Sequence, residues 1–212
     1  MNLKYTLFHC LLLMITTGFL ACNTSNKKPL FDGNSFRGWE GDTINTWRIE
    51  NGTIVGGSLS EKVPHNDFVC TTTTYSDFVL TLEFKLEGNE GFINAGVQFR
   101  SQRVSDPDYE MTGYQADIGE GINGALYDES RRNKYLVEID SVLSDTHTKA
   151  GEWNQMEVQA KGNHIKIFLN GHQTVDYTEP DSAIPQRGVI GLQVHGGGKA
   201  LVRYREIHLE EL

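Results

Sequence analysis

Glutamine recurs in three short segments of the sequence, each time followed two positions later by a residue that can carry a charge. The three pairs are Gln98 with Arg100, Gln115 with Asp117, and Gln193 with His195. Planar amides and the guanidinium of arginine form hydrogen bonds that suit the hydroxyl and carbonyl oxygens of sugars. A histidine and a carboxylate can transfer protons near neutral pH. These residue types indicate a carbohydrate site in which His195 and Asp117 are the candidate catalytic residues.

The three pairs can form one site only if they project from the same face of a sheet. Residues two apart in a strand point to the same side. The positions that alternate with these residues include the apolar Val97, Ala116 and Leu192, which predicts that the apolar set is buried and the polar set points outward. A solvated face is the competing interpretation, because one side of an antiparallel sheet commonly meets water.

Further polar and aromatic residues extend the candidate site. Glu83 lies in an earlier strand with the same alternation, and Tyr109, Tyr114 and Tyr127 lie in or beside loops, where aromatic rings can stack on sugars. Arg131 and its neighbour Arg132 are candidates for gripping an anion or the substrate. The predicted substrate-binding residues are Gln98, Arg100, Gln115, Tyr127, Gln193, Glu83 and Arg131.

Alternating apolar residues dominate the chain after Trp47 and predict strands. Two Asn-Gly pairs, Asn51-Gly52 and Asn170-Gly171, are strong hairpin signals. Only the stretch from Tyr135 to Leu143 could contain a short helix. Many strands joined by short turns predict an all-β antiparallel sandwich or barrel.

The first residues indicate export. Residues 1–21 read as a signal peptide with an apolar centre, and they end in Phe19-Leu20-Ala21-Cys22. That ending resembles a bacterial lipobox, in which cleavage before the cysteine exposes it to lipid attachment. We therefore expect lipidation at Cys22, a short tether over residues 22–29, one domain over residues 30–212, and a lipid-anchored protein of the bacterial cell envelope, periplasmic or on the outer surface.

Cysteine content bounds the redox and metal chemistry. A lipidated Cys22 leaves Cys70 as the remaining cysteine of the mature chain, so no disulfide framework is expected. The apolar neighbours of Cys70 predict a small core residue. One cysteine cannot build a thiolate metal site. We predict no metal-ligand set, and the cofactor is left unknown, a divalent metal included.

Charge excludes two classes of partner. The chain has 19 Lys and Arg against 28 Asp and Glu, a formal net charge of −9. Net negative charge repels phosphate backbones and argues against nucleic acid as a partner. It also argues against docking on anionic lipid through a basic patch, so we expect membrane contact through the N-terminal lipid alone.

Several short motifs, in their order along the chain, resemble one known family. They are Leu30-Phe31-Asp32-Gly33, Trp47-Arg48-Ile49-Glu50-Asn51-Gly52, Gly113-Tyr114-Gln115-Ala116-Asp117, Gly151-Glu152-Trp153-Asn154 and Gly188-Val189-Ile190-Gly191-Leu192-Gln193-Val194-His195. Together they resemble the 3-keto-disaccharide hydrolase family over about residues 30–212. The resemblance implies a concanavalin A-like lectin/glucanase jelly-roll sandwich of two antiparallel sheets. It also implies cleavage of glycosides whose glucose unit has been oxidised at carbon 3. No catalytic residue is carried over from the family.

Three other functions compete with this one. A non-catalytic carbohydrate-binding module of the same fold would need the glutamines and tyrosines but no base. A laminarinase-type glucanase would need Glu-x-Asp-x-x-Glu, and the nearest string, which starts at Glu138, has Leu143 in place of the last acid. A structural or adhesion protein would give the polar face no role in chemistry.

Overall fold

Two antiparallel β-sheets pack face to face in the computed structural model, which describes residues 26–212. The first sheet has eight strands: β13 (His172–Thr178), β12 (His164–Leu169), β11 (Asn154–Lys161), β6 (Phe78–Gly91), β15 (Gly198–Glu211), β4 (Thr53–Gly57) and β3 (Trp47–Glu50) in spatial order, with β1 (Lys28–Pro29) paired to β15. The second has seven: β10 (Lys134–Val137), β9 (Leu126–Glu129), β8 (Met111–Gly119), β7 (Asn94–Arg103), β14 (Val189–Val194), β5 (Asp67–Thr71) and β2 (Trp39–Glu40). The predicted sandwich of two antiparallel sheets is confirmed. The predicted signal peptide and Cys22 lie outside the described residues.

The core lies between the sheets and follows the alternation of the sequence. Leu80, Leu82 and Phe84 of β6 are buried against residues of the facing sheet such as Val97 and Phe99. Each strand contributes every second side chain to this layer because successive residues point to opposite faces. The other side chains of the seven-stranded sheet therefore project away from the core.

Both predicted Asn-Gly turns are confirmed. Asn51 and Gly52 join β3 to β4 with φ values of 48° and 76°, and Asn170 and Gly171 join β12 to β13 with 49° and 82°. Two consecutive residues with positive φ match the twist of the flanking strands, and asparagine followed by glycine tolerates that conformation best.

One short helix, α1 (Ser141–His147), follows β10. The side chain of Asp140 caps it by accepting from the backbone N–H groups of Val142 and Leu143. The predicted stretch began too early, because Tyr135 belongs to β10. Within residues 26–212, no helix has the length and apolar character needed to cross a membrane.

A bulge interrupts β7 and changes the course of the β7–β8 hairpin. Arg100 has φ of 49°, and the pairing of β7 with β8 shifts between Phe99 and Gln102. An inserted residue bends the strand and increases its local twist. We call residues 101–111, which follow the bulge and contain the hairpin turn, the β7–β8 arm.

Candidate functional site

The structure brings four of the predicted polar residues together on the outer face of the seven-stranded sheet. Gln98 lies opposite both Gln115 and Gly191, and Gly96 lies opposite both Asp117 and Gln193. We call this surface the polar face; it carries Asn94, Gln98, Gln115, Asp117 and Gln193. All five are buried, with at most 3% of each residue exposed.

A one-directional chain of hydrogen bonds runs across the polar face. Ser101 Oγ donates to Gln98 Oε1 at 2.6 Å, Gln98 Nε2 donates to Gln115 Oε1 at 2.8 Å, and Gln115 Nε2 donates to Asp117 Oδ1 at 2.6 Å. Gly96 makes room for this chain, because a Cβ there would lie 2.5 Å from Gln115 Cδ. The chain fixes both amides and ends on a carboxylate.

Three polar side chains surround the carboxylate of Asp117. Gln115 Nε2 donates a hydrogen bond to it, and the Tyr135 hydroxyl and the Asn94 amide lie beside it. Burial raises the pKa of Asp117 to about 6, although these three groups favour the ionised form and oppose the rise. The carboxylate is therefore largely ionised at neutral pH and lies beside the half-buried Tyr135.

The β7–β8 arm covers part of the polar face. Met111 Sδ lies 3.1 Å from Cys70 Sγ, and Arg103 Nη2 donates to the carbonyl of Phe68 at 2.8 Å. Phe68, Cys70 and Met111 form a small apolar cluster separate from the main core. Burial raises the pKa of the Cys70 thiol to about 12, which keeps it a neutral packing residue, as the sequence predicts.

Two contacts join the arm to the segment before β5. Glu110 Oε2 accepts from Asn66 Nδ2 at 3.1 Å, and the Tyr109 ring stacks on His65 with centroids 3.9 Å apart. Glu110 is thereby held at the border between the covered and the open part of the polar face.

The open part of the polar face carries two tyrosines and a glutamate. The rings of Tyr127 and Tyr135 meet edge to face with centroids 5.0 Å apart, and both are half-buried. Glu129 follows Tyr127 on the same side of β9. Burial, reinforced by the carboxylates of Glu110 and Asp117, raises the pKa of Glu129 to about 7. The sequence reasoning missed Glu129, although its spacing of two from Tyr127 was the signal that could have found it.

Gln193 is the unsatisfied residue of the polar face. Neither polar atom of its amide has a hydrogen-bond partner of ordinary geometry among residues 26–212. A buried amide without partners costs free energy. The Glu129 carboxyl lies near this amide, because Gln193 acts to lower the pKa of Glu129.

His195 lies at one end of the polar face, directly after β14. Its backbone N–H donates to Asn94 at 3.0 Å, its Nδ1 lies 2.7 Å from the carbonyl oxygen of Gly196, and its ring meets Phe92 edge-on at 4.6 Å. In the described part of the chain, no hydrogen bond or ion pair links His195 to Asp117. The two candidate catalytic residues therefore do not form a contacting pair.

The predicted position of Arg100 on the polar face is wrong. The bulge turns its side chain away to full burial at the border of the two sheets. There it donates to the carbonyls of Ser76 and Gly162, each at 2.7 Å, to Asp77 at 3.0 Å and to Gln186. All of these partners are backbone or side-chain groups of the protein itself, so the role of Arg100 is structural.

The predicted positions of Glu83 and Arg131 are also wrong. Glu83 belongs to β6 in the eight-stranded sheet, where it pairs with Arg205 at 2.7 Å. Arg131 lies over the ring of Tyr114 at 4.5 Å and pairs with Asp128, whose side chain points to the opposite side of β9 from Tyr127. Alternation along a strand defines a face, but it does not tell which sheet the strand joins.

Arg131 belongs to a buried charge network at the sandwich edge. Glu179 accepts from Arg132 Nη2 and from the Tyr114 hydroxyl, both at 2.7 Å, and Arg132 also pairs with Asp128. Although burial acts to raise the pKa of Glu179, the hydrogen bonds from Arg132 and Tyr114 lower it to about 2.

A separate cleft of about 700 Å³ opens at one end of the sandwich, near α1. Phe92, Ile122 and Lys149 contribute to its lining, and it adjoins the polar face only through Asn94. None of the predicted site residues lines it. Within the described residues, no group of three or more His, Cys, Asp and Glu side chains is placed to hold a metal ion.

Solved structures resemble this fold. A candidate glycosyl hydrolase from Parabacteroides distasonis matches with 20% identity over 88% of this chain and 94% of its own, at a TM-score of 0.63. The carbohydrate binding module CBM66 from Bacillus subtilis matches with 17% identity over 82% of this chain and 96% of its own, also at 0.63. A Bacillus subtilis protein with a galectin-like fold matches with 13% identity over 87% and 94%, at 0.59. At these identities the likeness concerns the fold, and it confirms the predicted jelly roll.

Sequence comparison places the chain in a family. No protein with a curated description matches it. The sequence profile of the 3-keto-alpha-glucoside-1,2-lyase-like domain matches residues 26–210, nearly all of the described chain. The predicted resemblance is thereby confirmed, and the chain belongs to the 3-keto-alpha-glucoside-1,2-lyase-like family, the 3-keto-disaccharide hydrolase family of the sequence motifs.

Proposed function

We propose that this protein binds a 3-keto-glycoside on the polar face and cleaves its glycosidic bond. The observation that carries the proposal is that two carboxyls of raised pKa, Asp117 and the half-buried Glu129, lie on one face with the half-buried Tyr127 and Tyr135 and with the buried amides of Gln115 and Gln193. Amides select polar oxygens, and groups with pKa values near neutrality transfer protons. Membership of the family supports the choice of a carbohydrate as the ligand.

The reaction follows from the chemistry of the ketone. A carbonyl at carbon 3 acidifies the proton on carbon 2, and a base removes that proton to give an enolate. The electron pair of the enolate then forms the double bond between carbons 1 and 2 while the bond from carbon 1 to the glycosidic oxygen breaks. The leaving oxygen takes up a proton. Addition of water at carbon 1 completes a net hydrolysis.

His195 and Asp117 are the proposed proton-transfer residues on the sequence evidence. Asp117 is too deeply buried to contact a sugar directly, but the Tyr135 hydroxyl lies beside it and is half-buried. Asp117 would therefore act on the ligand through Tyr135. His195 is half-buried at the end of the polar face, and Tyr127 forms part of the wall beside Tyr135.

We expect His195→Ala and Asp117→Asn each to lower kcat at least about a hundredfold, the low end for general acid–base catalysis. The measurement is steady-state kinetics on a chromogenic 3-keto-glucoside. The matched controls are His164→Ala and Asp176→Asn, an exposed histidine–carboxylate pair on the other sheet, which should leave kcat unchanged. A loss confined to KM would instead assign binding roles to His195 and Asp117.

The proposed function is tested by comparing two substrates with the purified protein. We expect release of the chromophore from the 3-keto-glucoside and none from the unoxidised glucoside. Binding of either sugar without cleavage would contradict the proposal of an enzyme and would favour a carbohydrate-binding module. Cleavage of the unoxidised glucoside at a similar rate would show that the ketone is not required, and would overturn the enolate route.

We also propose that the mature protein is held at the bacterial cell envelope by lipid on Cys22. The support is the Phe19-Leu20-Ala21-Cys22 string that follows the apolar leader. Cys22→Ser should move the protein from the membrane fraction to the soluble fraction, as measured by fractionation and by the mass of the N-terminal peptide. Membrane retention of the variant, with no lipid mass on the wild-type peptide, would refute this proposal.

A further inference from the structure

We propose that the cleft near α1, which we call the end cleft, binds the aglycone of the glycoside, and that this aglycone is a neutral apolar ring. The inference rests on the proposed function and deepens it, because it names the kind of leaving group that the protein accepts. The volume of the end cleft, about 700 Å³, falls within the range of small-molecule sites, roughly 300–1,000 Å³.

Apolar side chains line the end cleft and are partly open to it. Leu86 on β6, Ile93 before β7 and Ile122 in the loop after β8 are half-buried, and Phe92 is 54% exposed. Single exposed apolar residues are common on protein surfaces, but these four line one concave site. An aromatic ligand that covers them removes apolar surface from water on both partners, which is favourable.

The buried amides of the end cleft already bond to the protein itself. Asn154 Oδ1 accepts from the backbone N–H of Lys149 at 2.7 Å, and Asn154 Nδ2 donates to the carbonyls of Lys149 and Glu152. Asn123 Oδ1 accepts from the backbone N–H of Gly119 at 3.1 Å. Recognition of a sugar needs amides that are free to bond to its hydroxyl groups. Because these amides hold the loops together, the end cleft suits an apolar ring better than a second sugar unit.

The charged residues of the end cleft favour a neutral ligand. Glu120, Asp145 and Lys149 contribute to the lining, and all three are exposed. Two carboxylates against one ammonium group leave a net negative charge, which disfavours an anion. Exposed charges also keep their water, so we expect them to add little to the binding of an apolar ring.

The end cleft meets the polar face at Asn94. The Asn94 amide lies beside the Asp117 carboxylate on the polar face, and Asn94 also lines the end cleft. A Cβ on Gly119 would lie 3.1 Å from both Asn94 Nδ2 and Ile122 Cδ1. These two side chains are therefore neighbours, and the glycine places no side chain between them. One ligand can extend from the polar face into the end cleft.

His195 lies at this junction. Its ring meets the ring of Phe92, which lines the end cleft, with centroids 4.6 Å apart. On the polar face, the Tyr135 hydroxyl and the Asn94 amide both lie beside Asp117. A glycoside whose sugar lies beside Tyr135 and whose aglycone packs on Phe92 would place its glycosidic oxygen near His195. The bond that breaks would thus lie close to a proposed proton-transfer residue.

The kinetic test compares phenyl and 2-naphthyl 3-keto-glucosides, whose leaving groups are similarly acidic and differ by one apolar ring. We expect kcat/KM of wild type to be about tenfold higher for the naphthyl substrate, because more apolar surface is buried. Ile122→Ser and Phe92→Ala should each abolish this preference. The matched control is Ile44→Ser, which changes a 91% exposed isoleucine outside the end cleft and should keep it. The ratio of the two substrates cancels any effect of Phe92→Ala on His195.

A second readout does not depend on cleavage. Free 2-naphthol, followed by its own fluorescence, should bind wild type and Ile44→Ser alike and should bind Ile122→Ser about tenfold more weakly. If Ile122→Ser does not fold, Phe92→Ala serves the same test, because its side chain is more than half exposed. Glucose should not displace the naphthol. Displacement by glucose would assign the end cleft to a second sugar unit, and unchanged binding by both cleft variants would place the probe elsewhere; either result would overturn the inference.

The outcomes separate this inference from the proposed function. If wild type cleaves the phenyl and naphthyl substrates equally well and does not bind 2-naphthol, the end cleft is not an aglycone site and the proposed function stands. If wild type cleaves neither substrate but binds 2-naphthol through Ile122, the proposed function fails and the end cleft is still a site for an apolar ring. If wild type neither cleaves the substrates nor binds the probe, both proposals fail.

Discussion

Arg100→Met should lower the free energy of unfolding by about 3–5 kcal/mol, the largest effect that we expect from a single substitution. The guanidinium is fully buried and donates to two backbone carbonyls, to Asp77 and to Gln186. Methionine fills similar space but donates nothing, so the carbonyls of Ser76 and Gly162 lose their partner. A buried acceptor without a partner costs about 1–3 kcal/mol.

The measurement is urea unfolding of the variant beside a matched control, Arg205→Met. Arg205 pairs with Glu83 on the exposed surface of the eight-stranded sheet, with 38% of its side chain accessible. Surface pairs contribute about 0–1 kcal/mol, so the control should unfold near the wild-type midpoint. If Arg100→Met unfolded like wild type and instead lost affinity for the sugar, Arg100 would have a role in binding and its structural role would be contradicted.

Glu179→Gln should lower the free energy of unfolding by about 3 kcal/mol at neutral pH, and the loss should vanish in acid. Glu179 is buried and its pKa is lowered to about 2 from 4.5, chiefly by the hydrogen bonds of Arg132 and Tyr114. A lowered carboxyl pKa stabilises the native state above the ordinary value. That contribution disappears as the pH falls from about 4.5 toward 2.

Unfolding curves at several pH values test this prediction. The difference between wild type and Glu179→Gln should be constant above about pH 5 and should shrink below it. The control is Glu211→Gln, which breaks an exposed pair with Lys28 and should cost under about 1 kcal/mol at every pH. A difference that stayed constant down to about pH 2 would mean that the Gln side chain packs poorly, and that charge has no part in the loss.

The fold was predictable because its rules are local. Asn51-Gly52 requires a tight turn wherever it occurs between strands, and the alternation around Leu82 defines a buried side regardless of the partner strand. The same rule placed Gln98 and Gln115 on one face of the sheet. The apolar residues that alternate with each of them along its strand are buried, so the two amides point to the opposite side.

The errors in the site come from features that alternation does not encode. Arg100 has positive φ in a bulge, and this turns its side chain to the other side of the strand. An arginine at this position does not predict a bulge. Glu83 has the predicted spacing, but its strand belongs to the other sheet. Long-range strand pairing determines which sheet a strand joins. The pKa of Glu129 is raised by burial and by neighbouring carboxylates, and both depend on the tertiary structure.

The β7–β8 arm can change during evolution without a change in the two sheets that support it. Its Met111, Glu110 and Arg103 contact Cys70, Asn66 and Phe68 beside the polar face, but the arm contributes little to the main core between the sheets. Lengthening a surface hairpin costs little conformational entropy. Insertions or deletions in this hairpin would therefore reshape the entrance while the register of the seven strands beneath it stays fixed. A lineage could in this way exchange one sugar partner for another through changes in a single loop.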